Sequence, residues 1–200
     1  MPPPVTTINK PNDYGNTPLQ AAVHSNNYAL TLQMLEQKGD PNITYKESAE
    51  TALHRAILNQ NPAIVKLLLQ KKASVNHVGR YGSAIHLAAI RDKVILEQLL
   101  EAESADINMI NREGLTPLFV SCMHLKRDNI LLLLQHNADI SSKNANGDSV
   151  IHHSIRRNKF VRIFFEEFFL HIFWNYWSSL LGFLFYFWIF FFFETCKLIF

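Results

Sequence analysis

An all-α array of stacked helix pairs is the fold class this sequence predicts, and three observations predict it. One short pattern returns five times: Thr17-Pro18-Leu19, Thr51-Ala52-Leu53-His54, Ser83-Ala84-Ile85-His86, Thr116-Pro117-Leu118 and Ser149-Val150-Ile151-His152. The Thr/Ser positions lie 34, 32, 33 and 33 residues apart, and a fixed period of that size marks a solenoid of repeated units. Each pattern is followed by apolar residues at helical intervals and then by a polar loop, so each unit is a helix, a tight turn, a second helix and a projecting loop.

The first helix of each unit starts at its Thr or Ser, whose hydroxyl can accept from an otherwise unpaired backbone N–H. Pro18 and Pro117 follow at the first helical position, where a missing N–H does no harm. Leu19, Leu53, Ile85, Leu118 and Ile151 then point inward. Three residues on stands a small side chain each time, Ala22, Ala56, Ala88, Ser121 or Ser154, which lets a neighbouring helix approach closely. The second helices carry Ile64, Val65, Leu67 and Leu68, then Leu96, Leu99 and Leu100, then Ile130, Leu132 and Leu133, and more loosely Leu30, Met34 and Leu35. After them come Ala73-Ser74-Val75-Asn76, Ala105-Asp106-Ile107-Asn108 and Ala138-Asp139-Ile140-Ser141, with Gly39-Asp40-Pro41-Asn42 as the first version. Turn formers Gly15, Gly114 and Gly147 open the next unit.

These residues resemble the ankyrin repeat family, whose pattern reads Thr-Pro-Leu-His-x-Ala. The resemblance implies an ankyrin-repeat solenoid with projecting β-turn loops over residues 12–166, in repeats near 13–44, 45–78, 79–110, 111–143 and 144–166, the last degenerate. The polar, Pro-rich start reads separately as a disordered N-terminal arm at 1–11. In the family the motif His bonds to its local turn and to the adjacent repeat, a role that falls on His54, His86 and His152. Gln20 and Phe119 depart from it, Tyr81 stands where the family has Gly, with Gly82 one place late, and the fifth repeat drifts after Ser149. The resemblance also implies a ligand-facing strip of loop tips and first-helix faces. Carried over, that names Tyr14, Asn16, Lys46, Glu50, Arg80, Tyr81, Arg112, Leu115, Asn146 and Asp148 as partner-binding positions. Tyr and Arg are favoured interface anchors, which singles out Tyr14, Arg80, Tyr81 and Arg112.

Beyond the repeats the composition changes. Fourteen of the 15 Phe and all three Trp lie after residue 159. Residues 168–193 contain no Asp, Glu, Lys or Arg, and a helix of that length spans the roughly 30 Å hydrocarbon core of a bilayer. The hydrophobic tail, 167–200, is therefore expected to hold a C-terminal apolar helix, with Arg156, Arg157, Lys159 and Arg162 as a juxtamembrane basic cluster that keeps the repeats cytosolic. A second reading stands beside it. Phe, Leu, Ile, Tyr, Trp, Ser and Cys are encoded by T-rich codons, so the tail also fits translated non-coding sequence.

The net charge of +2 argues against a nucleic-acid binder. Cys122 and Cys196 are the only cysteines and lack a disulfide framework, which suits a reducing, cytosolic setting. No spacing of His, Cys or Asp completes a metal set, and the seven Gly form no phosphate loop. The expectation is a non-enzymatic protein-binding adaptor or scaffold without cofactor, metal or small-molecule substrate, cytoplasmic or held to the cytosolic face of a membrane. Two alternatives remain: the cytosolic front of an ankyrin-containing membrane channel, and a soluble regulatory subunit with a read-through tail.

Overall fold

Helix pairs follow one another along the chain, each opened by a capped Thr or Ser and each laid against the next. The structure, a computed structural model, describes residues 8–45 and 49–156. The first helices are α1 (Pro18–His24), α3 (Ala52–Leu58), α5 (Ala84–Ala89), α7 (Pro117–Met123) and α9 (Val150–Arg156). The second helices are α2 (Tyr28–Glu36), α4 (Pro62–Gln70), α6 (Lys93–Leu100) and α8 (Arg127–Gln135). Among the described residues there is no strand, only isolated bridges at Gly79 with Gly82 and Lys143 with Ser149. First helices pack on first helices and second on second, which makes the solenoid.

The predicted small residues sit where two first helices meet: Ala22, Ala56, Ala88 and Ser121 are wholly buried. The apolar residues beside them, Leu19, Leu53, Ile85 and Leu118, form the continuous spine with Ile64, Leu68, Leu96, Leu99 and Leu133. Burying a side chain of this size contributes about 1.5–3 kcal/mol, and no single unit could bury it alone. Second helices are capped by Asn27 on Leu30 N, Asn61 on Ile64 N, and Asp92 on Val94 N and Ile95 N. Each such cap is worth about 1 kcal/mol. The α8 N-terminus, at Lys126, has no side-chain cap.

An asparagine ladder ties the loop starts together. Asn9 Oδ1 accepts from Asp40 N at 2.8 Å, Asn42 from Ser74 N at 2.7 Å, Asn76 from Asp106 N at 2.9 Å and Asn108 from Asp139 N at 2.8 Å. The first three also donate through Nδ2 to a carbonyl of the next unit, those of Lys38, Lys72 and Ser104. The ladder corrects the end of the expected disordered arm: Ile8, 2% exposed, and Asn9 are packed on the first repeat because Ile8-Asn9 is itself a rung, while residues 1–7 lie outside the described residues. At the other end a unit boundary falls between Arg156 and Arg157. The tail at 167–200 and its expected membrane helix at 168–193 lie outside the described residues. Among those described, no helix is long and apolar enough to cross a membrane.

Candidate partner-binding site

Three of the five loops share one build. In the first, Asn12 N donates to Asn16 O and Gly15 N to Asn12 O, while Asn12 Oδ1 accepts from Tyr14 N and Asn16 N, both at 3.0 Å. Asn111 does the same for Glu113 N and Leu115 N, and Asn144 for Asn146 N and Asp148 N. A side-chain carbonyl that takes two tip amides orders the tip without any outside contact. Gly15, Gly114 and Gly147 supply the left-handed residue at φ 78, 73 and 79°.

The two irregular spacings are built in the loops. The 34-residue step gives a second loop one residue longer, closed by Tyr45 N to Glu50 O, with Ala49 at φ 54° in the glycine position. The 32-residue step gives a tighter third loop, closed by Gly79 N to Gly82 O at 3.0 Å, with only Arg80 and Tyr81 at its tip. Gly82 there has φ +102°, and a Cβ would stand 2.8 Å from the His86 ring. The displaced Gly82 is thus the consequence of a shortened hairpin.

The structure sorts the expected binding residues. Tyr14 is 88% exposed and Tyr81 55%, and Arg80, Arg112 and Asn146 are exposed too. The Arg80 guanidinium lies over the Tyr81 ring at 5.7 Å. Asn16 and Asp148 are half-buried. Glu50 and Leu115, expected at the tips, are corrected: they are 3% and 7% exposed. Each immediately precedes a helix cap, where the chain turns into the stack. Glu50 is held by Arg55 at 3.7 Å, and Leu115 N by Asn111 Oδ1 at 3.0 Å. Lys46 and the basic residues Arg157, Lys159 and Arg162 lie outside the described residues, and Arg156 falls in α9.

Beneath the tips, the motif residues join each loop to the one before. His54 Nδ1 accepts from Thr51 N at 3.3 Å and Thr51 Oγ1 at 2.9 Å, and its Nε2–H donates to Gly82 O at 3.2 Å. His86 repeats this with Ser83 and with Leu115 O at 2.9 Å. Both rings are therefore neutral with the proton on Nε2. Burial pushes the His54 pKa down to about 4 and lowers that of His86. Gln20 does the same work with an amide: its Oε1 accepts from Thr17 N and its Nε2 donates to Ile43 O, both at 2.8 Å. With both ring nitrogens committed, neither buried His is available as a general base. Burial pushes the Cys122 thiol up to about 12, so it is no nucleophile. No group of three or more His, Cys, Asp and Glu able to hold a metal occurs among the described residues.

Sequence reasoning missed Tyr45, Arg55, His77 and Ile110. Tyr45 donates its hydroxyl to Gln20 O at 3.1 Å and lies under Arg55 at 5.5 Å. Burial raises its pKa, and Arg55 opposes that. His77 Nε2 donates to Ala49 O at 2.7 Å, its ring edge-on to His54. Ile110, 61% exposed, stands in the fourth loop beside Arg112. The signal for Arg55 was its place directly after a motif His, on the first-helix face.

Comparison with known proteins agrees with this geometry. A family model described as ankyrin repeats (3 copies) matches residues 5–79 and 78–144. The chain is 34% identical to the mouse B-cell lymphoma 3 protein homolog over 153 residues, 72% of this chain and 34% of that protein. It is 31% identical to the human B-cell lymphoma 3 protein over 153 residues, covering the same shares of each. It is 27% identical over 160 residues to the transient receptor potential cation channel subfamily A member 1 of Drosophila melanogaster, 76% of this chain and 13% of the channel. The chain thus spans about a third of the length of the first two, or less of the third.

Proposed function

Because the chain belongs to the ankyrin repeat family, we propose that it is a non-enzymatic adaptor that holds a protein partner on its loop tips. Ankyrin repeats imply a role in protein–protein interaction. The observation that carries the proposal is Tyr81: a tyrosine more than half exposed, on a two-residue tip that its own hairpin already orders. Large aromatic surface on a rigid loop gives binding energy with little entropy lost on association. Tyr14, Arg80 and Arg112 extend the same strip. The setting is cytosolic in this reading, with the uncharged stretch 168–193 as a tether that carbonate-resistant pelleting would reveal and a fully soluble fraction would refute.

The test uses a binder selected from a random peptide display library on the full chain. Tyr81→Ala with Arg112→Ala should weaken that binder at least about tenfold, a loss of about 1.4 kcal/mol, with the melting temperature unchanged. Equal affinity for the double variant removes the tip strip as the binding face.

A further inference from the structure

The turns that join first helices to second change character along the array. In the first two repeats they read Ser25-Asn26-Asn27 and Asn59-Gln60-Asn61, without a charge. Asn26 and Gln60 take the left-handed conformation at φ 55 and 53°, and Asn27 and Asn61 cap the helix that follows. In the fourth repeat the same two places hold Leu125, at φ 58°, and Lys126, which makes no cap. Leucine is poorly suited to that conformation, and Leu125 stands 55% exposed. Both choices cost the turn stability, the pattern expected where a surface is kept for a partner.

The third turn lies beside the fourth. Asn129 Nδ2, in the first turn of α8, donates to Ala89 O at 2.8 Å and Ala88 O at 3.3 Å, at the end of α5. That brings Arg91-Asp92-Lys93-Val94 next to Leu125-Lys126-Arg127-Asp128. Val94 and Met123 are 53% and 36% exposed, and with Leu125 they are the apolar part of this face. Arg91, Lys93, Lys126 and Arg127 are exposed in the same two turns, against exposed Asp128 and half-buried Asp92. Four cations thus stand against two carboxylates, and Asp92 Oδ1 already accepts from Val94 N and Ile95 N. Arg91, Lys93 and Lys126 make no ion pair among the described residues. An occupant must cover the apolar surface and bring negative charge. Anionic lipid is drawn by uninterrupted clusters of about four to eight basic residues, and the two carboxylates break such a cluster here. A discrete segment can set its acids beside the cations and away from Asp92 and Asp128. Apolar and acidic side chains of one short segment sort onto two faces when it is helical. We propose that turns 3 and 4 form a second docking face, which takes an acidic amphipathic helix of a partner protein with its apolar side on Val94, Met123 and Leu125. The face lies at the other end of the first helices from the loop tips, so it goes beyond the adaptor reading and gives the array a second partner.

The probe is a labelled twelve-residue peptide of three Glu-Leu-Leu-Glu repeats, titrated against the full chain by fluorescence anisotropy. Two controls keep its length: Lys in place of Glu, and Ser in place of Leu. The acidic amphipathic peptide should bind at least about tenfold more tightly than either control and weaken as salt rises. Leu125→Asn with Lys126→Asn rebuilds the turn of the first two repeats. That variant should weaken the peptide at least about tenfold while the melting temperature holds or rises. Tyr81→Ala with Arg112→Ala should leave the peptide's affinity unchanged. Equal affinity for either control, or for the rebuilt turn, overturns the proposal. So does capture of phosphatidylserine vesicles that the rebuilt turn abolishes while no peptide binds, which assigns the face to lipid instead. If the peptide fails and library-selected binders need Tyr81, this face falls and the adaptor reading stands. If the peptide binds as expected and library binders ignore the tips, the tip strip falls and this face stands.

Discussion

His54 is the side chain whose replacement tests how the repeats are joined. It is wholly buried, and its ring takes two donors from Thr51 and gives its proton to Gly82 O. In the unfolded chain a His titrates near 6.5, and in the fold His54 titrates near 4. Between those values the unfolded state holds more protons, so stability falls as pH drops. The contribution is fully present above 6.5, shrinks through the window and is gone below 4. A displacement of this size is worth about 3 kcal/mol in total, of which about 2–3 kcal/mol is lost by pH 4.5. His54→Gln should change little at pH 7, because Gln20 already makes both bonds at the equivalent position of the first repeat. It should also remove that share of the acid sensitivity. His54→Phe leaves the Thr51 amide without an acceptor, at a cost of about 1–3 kcal/mol plus the lost bond to Gly82. Gly82 O is not orphaned, since Gly79 N still donates to it. Urea unfolding followed by circular dichroism at pH 7 and 4.5 reads all three proteins. If native and His54→Gln chains lose stability in parallel on acidification, the buried neutral ring is not the source of the pH dependence.

Other outcomes follow from single contacts. Asn76→Ala should lower stability by about 1–2 kcal/mol, since it deletes both bonds of one rung. Ser141→Ala should cost under about 0.5 kcal/mol in the same thermal melts, because that hydroxyl bonds only back to Asp139. Ala49→Gly should stabilise by about 0.5–1 kcal/mol by relieving a Cβ at φ 54°; an unchanged melting temperature would show the strain is not there. In a Cys196→Ser background, Cys122 should react with a thiol reagent only at the rate of unfolding, as burial and its high pKa require. Prompt labelling of the native chain would contradict that.

The frame was legible because its chemistry is local. A hydroxyl before a helix, a Pro after it and a small residue one turn on each has a short-range reason, and α1, α3, α5 and α7 begin at the expected residues. The loop-tip exposures of Tyr14, Arg80, Tyr81 and Arg112 came from the same register. What failed depends on contacts through space. Nothing next to Leu115 or Glu50 in the chain says that the residue before a cap turns inward. Leu115 does so as part of a turn whose carbonyl the preceding repeat's His86 holds. The spacings of 34 and 32 announced a residue gained and a residue lost, but only the pairing of Gly79 with Gly82 shows that the loss tightens the tip bearing Tyr81. Ile8-Asn9 carries the same signature as Val75-Asn76 and Ile107-Asn108, and its meaning emerged only when Asp40 was found on it.

The departures from the repeat pattern then take on a physical order along the chain. Where the motif position is Gln20, His54 or His86, the side chain donates across the junction to the next loop. At the fourth repeat that position is Phe119, which has no donor to give and meets His153 by ring contact at 5.2 Å instead. The rung position that follows Asn108 is Ser141, whose hydroxyl turns back to Asp139. The side chains that make both joints are therefore replaced at the same end of the array, next to a second helix that begins without a side-chain cap. In a solenoid held by nearest neighbours, that weakens the junction between α7 and α9 relative to the junctions of repeats two to four. Tyr81 and Arg112 stand on the third and fourth loops, before that junction. A partner that reached from these tips to the fifth loop would stabilise the packing of α9 on α7 by binding the folded state alone.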